Sequence, residues 1–105
     1  MAEEAQAVKW AYAARADLLE ALGYIIEQSP TAGVTLLREI EAAAASLIHS
    51  PERGALVREL DFPDLRQMVV RRYRLIYRVE EGGVAVVRLI HGSRDFRAAW
   101  RKPPS

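Results

Sequence analysis

Between residues 66 and 80 the chain reads RQMVVRRYRLIYRVE, where Tyr73, Leu75, Tyr77 and Val79 alternate with Arg72, Arg74, Ile76 and Arg78. A period of two sends successive side chains to opposite faces of a strand, so one face here is apolar and the other is rich in arginine. Glu81-Gly82-Gly83 follows, supplying positive-φ residues for a tight turn, and VAVVRLIH (84–91) reads as the returning strand. A hairpin with one apolar face must be covered by something else in the chain.

The N-terminal half provides the cover. Val8, Trp10 and Tyr12 alternate as a short strand, and from residue 13 the period lengthens. Ala14, Leu18, Leu22 and Ile25 share one helical face over 13–28. Ser29 is placed to cap a second helix, and Pro30 suits a first turn that needs no amide hydrogen. That helix, 30–48, carries Val34, Leu37, Ile40, Ala44 and Leu47 at three- and four-residue spacing. So short a break between helices predicts a helical hairpin. His49 falls in its last turn, where it favours the helix dipole. Residues 55–60 form a short, partly alternating strand, and Phe62-Pro63-Asp64 marks a loop. The expected fold is α+β: an N-terminal strand, a helical hairpin, then an antiparallel three-stranded meander, β-α-α-β-β-β. Both helices lie on one face of the sheet. Residues 1–100 make a single domain, HGSRDFRAAW leaves the sheet, and 101–105 is a loose tail.

With the helices over Tyr73, Leu75 and Tyr77, the set Arg72, Arg74 and Arg78 lines the open face. Parity on the returning strand adds Val86, Arg88 and Ile90 unless a bulge intervenes. The charge is polarised in the same sense. Residues 1–52 hold three basic and eight acidic side chains, and residues 53–105 hold twelve basic and six acidic, so a formal net charge of +1 conceals halves of −5 and +6. A face mixing arginine with aliphatic residues suits a peptide bringing both carboxylates and aliphatic side chains; the other reading is a solvated basic surface. There is no cysteine, hence no disulfide framework, thiol catalyst or zinc-thiolate site. Two isolated histidines and no phosphate-binding glycine pattern predict neither a metal nor a cofactor. The opening MAEEAQAV lacks an apolar signal-peptide region, and no apolar run approaches the ~20 residues that span a bilayer, so a soluble cytoplasmic protein without membrane contact is expected.

The element order and four local motifs resemble the RelE/ParE family of bacterial toxins from type II toxin–antitoxin modules, which stabilise plasmids and chromosomes. The motifs are Trp10 with AARADL (13–18), Ser29-Pro30, YRLIYRV (73–79) and HGSRD (91–95). The resemblance covers residues 8 to 97. It implies neutralisation by a cognate ParD-like or RelB-like antitoxin in a hetero-oligomer, with Arg72, Arg74, Arg78 and Arg88 as the expected antitoxin contacts. It also implies growth arrest on release. RelE-like members of the family cut mRNA on the ribosome, and ParE-like members poison DNA gyrase.

The cleavage branch makes a chemical demand. Attack by a 2′-hydroxyl needs a base, cations for the phosphorane and an acid for the leaving oxygen. By resemblance, Arg74 and Arg94 occupy two arginine positions of the ribonucleases, and His91 is the candidate base. His91, which shares parity with Val87 and Leu89, reads first as a hydrogen-bonded core histidine at a strand end and only second as a catalyst. The upstream lysine pair is absent, with Leu65 and Gln67 at the comparable positions, and Trp100 stands where the ribonucleases carry a late tyrosine. An indole stacks but does not transfer a proton at neutral pH. The incomplete set leans away from an enzyme and toward a gyrase-inhibiting toxin, with a ribosome-dependent endoribonuclease as the alternative.

Overall fold

In the computed structural model, which describes residues 7–102, the elements are β1 (Ala7–Trp10), α1 (Tyr12–Gln28), α2 (Pro30–Ser46), β2 (Ala55–Leu56), β3 (Leu65–Val70), β4 (Tyr73–Glu80), β5 (Gly83–His91) and α3 (Phe96–Arg101). The sheet order is β1-β5-β4-β3-β2, with β1 parallel to β5 and every other pair antiparallel. The α+β class, the N-terminal strand and the helical hairpin are as the periodicity predicts. The Ser29 hydroxyl accepts the Ala32 amide at 3.2 Å, and Pro30 opens α2. Of the expected tail, Arg101 belongs to α3, and 103–105 lie outside the described residues.

Three features depart from expectation. Residues 66–80 are two strands, not one, so four strands follow the hairpin. The break is a two-residue turn at Arg71 and Arg72, closed by the Val70–Tyr73 pair. Arg71 takes a φ of 55°, a conformation that usually selects glycine or asparagine. Its guanidinium is bound by both oxygens of Glu39 on α2, one contact at 2.8 Å, and the Arg72 carbonyl accepts the Gly92 amide at 2.7 Å, so tertiary contacts brace a turn that lacks a turn residue. The expected strand over 55–60 is correspondingly short, only Ala55–Leu56.

The second departure is α3, which lies on the face expected to be open. Asp95 caps it by accepting the Ala98 amide at 3.3 Å, and Phe96 and Ala99 are buried against Val57, Leu65, Ile76 and Ile90. The sheet therefore has a core on each side. The larger one packs Leu36, Ile40, Ala44 and Leu47 of the hairpin region on Leu75, Tyr77, Val84, Val86 and Leu89. Tyr77 is fully buried there, and its hydroxyl accepts from Gly54 N–H at 3.0 Å and donates to the Pro51 carbonyl at 2.7 Å, which fixes the α2–β2 connection.

Third, a bulge interrupts β5: Ile76 pairs with Arg88 and Tyr77 with Val86, leaving Val87 unpaired. Val86 accordingly lies on the helical-hairpin face, while Arg88 and Ile90 keep the parity of Arg74. At the β4–β5 turn only Gly82 has positive φ, at 83°. Gly83 serves a different need, because a Cβ there would sit 2.0 Å from the Ala7 carbonyl oxygen and block the approach of β1.

Candidate functional site

The four arginines expected to share one open face do not. Arg74, Arg78 and Arg88 lie on the α3 side of the sheet, and Arg72 sits in the β3–β4 turn, where it lines a cleft on the helical-hairpin side. The difference follows from the turn at Arg71–Arg72, which removes Arg72 from the alternation of β4.

Two of the arginines on the α3 side are bound internally. Arg74 donates from Nη1 and Nη2 to the two Glu59 oxygens at 3.0 and 2.8 Å, and from Nε to Gln67 Oε1 at 2.7 Å. Its guanidinium carbon lies 4.1 Å from the centre of the Phe96 ring, a cation–π stack contributed by α3. The Arg74 hydrogen bonds hold the Glu59 carboxyl below its usual value.

Arg88 is bound more deeply. Strand β1 ends at Trp10, so the far end of β5 has no strand neighbour on that edge among the described residues, and α1 passes beside it. Asp17 of α1 accepts the Leu89 amide at 2.9 Å and Arg88 Nε and Nη2 at 2.7 and 3.0 Å. Arg88 Nη1 also donates to the Trp100 carbonyl at 3.1 Å. One guanidinium thus ties α1, β5 and α3 together, and the Arg88 and Asp17 side chains are only 12% and 10% exposed. Arg78 is looser, 3.5 Å from Glu80, which also meets Lys9 of β1 at 3.1 Å. Burial and matched charge give Arg88 and Arg74 structural roles in the free chain.

The end of the sheet near His91 is organised otherwise. Tyr73 and His91 face each other across β4 and β5, their rings edge to face with centroids 5.1 Å apart. Partial burial raises the Tyr73 phenol above its ordinary value. His91 Nδ1 accepts the Ser93 amide at 3.1 Å and is 2.7 Å from the Ser93 hydroxyl. A backbone N–H donating to Nδ1 places the ring proton of the neutral imidazole on Nε2. Arg72 and Arg94 stand on opposite sides of this aromatic pair. Arg72 joins Tyr73 and His91 in a cleft of about 390 Å³ floored by Ile25, Ala32 and Leu36, and Arg94 joins them in a second cleft of about 360 Å³ with Glu20 and Tyr24.

This geometry bears on the three residues expected for RNA cleavage. Tyr73 pairs with His91 and Arg74 with Ile90, so the Arg74 and His91 side chains leave the sheet on opposite faces. Arg94 is exposed and shares a cleft with His91, but not with Arg74. Trp100 stacks on Phe96 at 6.0 Å and helps close the α3 side. The Arg72 cleft has no counterpart in the sequence reading, because the turn that creates it carries no glycine. For α3 a signal was available: Asp95 followed by Phe96, Ala99 and Trp100 at helical spacing. Among the described residues, no group of three or more His, Asp or Glu could hold a metal, and no helix is long and apolar enough to cross a membrane.

Comparison with known proteins agrees with the architecture. A family model described as the ParE toxin of the type II toxin–antitoxin system parDE matches residues 8–96. Toxin RelE2 of Caulobacter vibrioides is 38% identical over 88 residues, covering 83% of this chain and 96% of the relative. Among solved structures, a chain of the chromosomal ParDE system from P. aeruginosa superposes with a TM-score of 0.67 at 19% identity, covering 82% of this chain and 95% of that one. A chain of the toxin–antitoxin complex RelBE2 from Mycobacterium tuberculosis gives 0.56 at 24% identity, covering 82% and 96%. At these identities the two structures are similar to this chain in fold.

Proposed function

We propose a function from one premise, that the chain belongs to the RelE/ParE family and is a toxin of a type II toxin–antitoxin system. The reading is that a cognate antitoxin neutralises it in a hetero-oligomer, and that the freed toxin inhibits DNA gyrase by binding, in the cytoplasm. The two solved neighbours come from systems described as toxin–antitoxin pairs, which supports the antitoxin partner.

The observation that favours binding over catalysis is the divergence of Arg74 and His91. Ribonucleolytic attack needs base, cation and acid within hydrogen-bond reach of one phosphate. Here Arg74 faces Glu59 on one side of the sheet, while His91 lies on the other with its Nδ1 lone pair accepting the Ser93 amide. An imidazole held in that tautomer has no free lone pair for a 2′-hydroxyl proton.

The second reading, a ribosome-dependent mRNA endoribonuclease, draws on the name of the Caulobacter relative and on the cleft that His91 shares with Arg94. A supercoiling assay with purified gyrase, run beside a translation assay with mRNA cut mapping, separates the two. Loss of supercoiling with intact mRNA is expected. Discrete mRNA cuts with gyrase unaffected would reject the gyrase reading.

A further inference from the structure

We propose that the Arg72 cleft is an anchor pocket for a protein segment that presents an aliphatic side chain beside a carboxylate. The proposal rests on the reading of the chain as one that an antitoxin neutralises, and it assigns part of that contact to a surface away from Arg74 and Arg88.

The cleft combines three features. Its floor is apolar, made of Ile25 from α1 and Ala32 and Leu36 from α2, and its end wall is the Tyr73–His91 aromatic pair. Its volume, about 390 Å³, is in the range of sites that bury a small organic group. At its rim are two arginines of different status. Glu39 neutralises Arg71. Arg72, one residue on, is exposed and has no carboxylate partner among the described residues, unlike Arg71, Arg74, Arg78 and Arg88. An unmatched guanidinium beside an apolar floor selects an occupant with a negative charge and a hydrophobic part, since guanidinium binds carboxylate through paired donors.

With an antitoxin as the partner, the occupant is a protein segment, and the carboxylate it presents answers the Arg72 charge. Ile26 of α1 packs on Gly33 of α2 at this end of the hairpin and is partly exposed there. The second cleft, beyond the Tyr73–His91 pair, sets Asp17 and Glu20 beside Arg94, whereas the residues lining the first include Arg71 and Arg72 and no carboxylate.

The test uses the full chain and the protein encoded beside it as candidate antitoxin. Arg72→Glu reverses the rim charge, Ala32→Trp fills the floor, and Arg58→Glu places the same charge change at an exposed position outside the cleft. Dissociation of the complex is expected to accelerate about tenfold or more for Arg72→Glu and Ala32→Trp and less than about twofold for Arg58→Glu, given what desolvated charge pairs contribute to dissociation rates. N-acetyl-leucine, followed by NMR, is expected to shift the amides of Ala32, Thr35, Tyr73 and His91. N-acetyl-leucinamide, which lacks the carboxylate, should bind more weakly, and Arg72→Gln should abolish the difference. A tight wild-type complex with unchanged dissociation in both cleft variants, their folds verified by circular dichroism, would overturn the proposal and leave the toxin reading intact. Acid that still binds the cleft with the antitoxin seated would overturn the assignment to a protein segment. Failure of the wild-type chain to form any complex would overturn the antitoxin reading, and this inference with it.

Discussion

Arg72 and Arg74 are two residues apart and belong to the same run of alternating arginines, yet the fold treats them oppositely. Arg74 is met by a bidentate carboxylate, an amide oxygen and an aromatic ring, all from its own chain. Arg72 stands at the rim of an apolar cleft without an ion-pair partner among the described residues. The comparison extends to the two sides of the sheet. On the α3 side, Glu59 and Asp17 close Arg74 and Arg88 into the domain. At the hairpin end, a turn residue, a histidine and a tyrosine border an open cleft. Charge alone does not identify a binding surface: an internally matched arginine supports the fold, and an unmatched one is available to a partner.

Removing the most deeply matched guanidinium tests this contrast most severely. Arg88→Ala leaves the Asp17 carboxylate nearly buried with only the Leu89 amide for company, and it frees the end of α3. The expected loss is about 3 kcal/mol, because an unpaired buried charge costs more than the pair contributes. Urea unfolding measures it, and adding Asp17→Ala should restore part of the loss. A loss below about 1 kcal/mol would mean that Arg88 behaves as a surface residue.

Arg74→Ala comes next. The Arg74 and Glu59 side chains are 18% and 34% exposed, so solvent screens the pair more than it screens Arg88 and Asp17. The expected cost is about 1 to 2 kcal/mol, part from the ion pair and part from the stack on Phe96. Arg74→Lys should recover little, since lysine lacks the planar fork that engages Glu59 and Gln67 together.

The same pair gives a pH signature of smaller size. Hydrogen bonding to Arg74 lowers the Glu59 carboxyl below its reference value of 4.5. The folded chain therefore holds this proton less tightly than the unfolded chain. The resulting stability is present above 4.5 and disappears as the pH falls through the lower folded value. Glu59→Gln should flatten this part of the acid unfolding curve, and added salt should shrink the difference, because the pair is partly exposed. An unchanged acid limb in Glu59→Gln would show that other carboxylates carry the pH dependence.

What was legible in the sequence divides along the same line. The helical hairpin was readable because Ser29, Pro30 and the apolar spacing act locally, and β1 was readable from its alternation. The turn at Arg71–Arg72 was not, because its contacts are tertiary: Arg71 with Glu39, thirty-two residues away, and the Arg72 carbonyl with the Gly92 amide. The bulge at Val87 has no residue signature, and it alone moved Val86 to the other face. Helix α3 has a local signal in Asp95, Phe96, Ala99 and Trp100, but the segment is short, follows a strand directly and runs into a proline-rich sequence. Among the site residues, type and strand face were readable for Arg74 and Arg88. Their partners Glu59 and Asp17 come from distant segments, and those pairings decide whether an arginine is structural or available.

The smallest expected effect sharpens the comparison furthest. Arg72→Gln keeps the length of the side chain, removes its charge and breaks no ion pair among the described residues. The turn depends on the Arg71 guanidinium on Glu39 and on the Arg72 carbonyl accepting the Gly92 amide at 2.7 Å, and the substitution touches neither. Stability should therefore change by no more than about 0.5 kcal/mol, the range of ordinary surface substitutions. Thermal melting of Arg72→Gln beside Arg74→Gln is the decisive pairing. The two variants carry the same change two residues apart, so any difference arises from what each guanidinium meets in the fold. Equal losses would mean that the Glu59 pair contributes nothing net. A large loss in Arg72→Gln alone would mean that its charge already has a partner within the chain, and the cleft would then lack the unmatched cation that makes it a site.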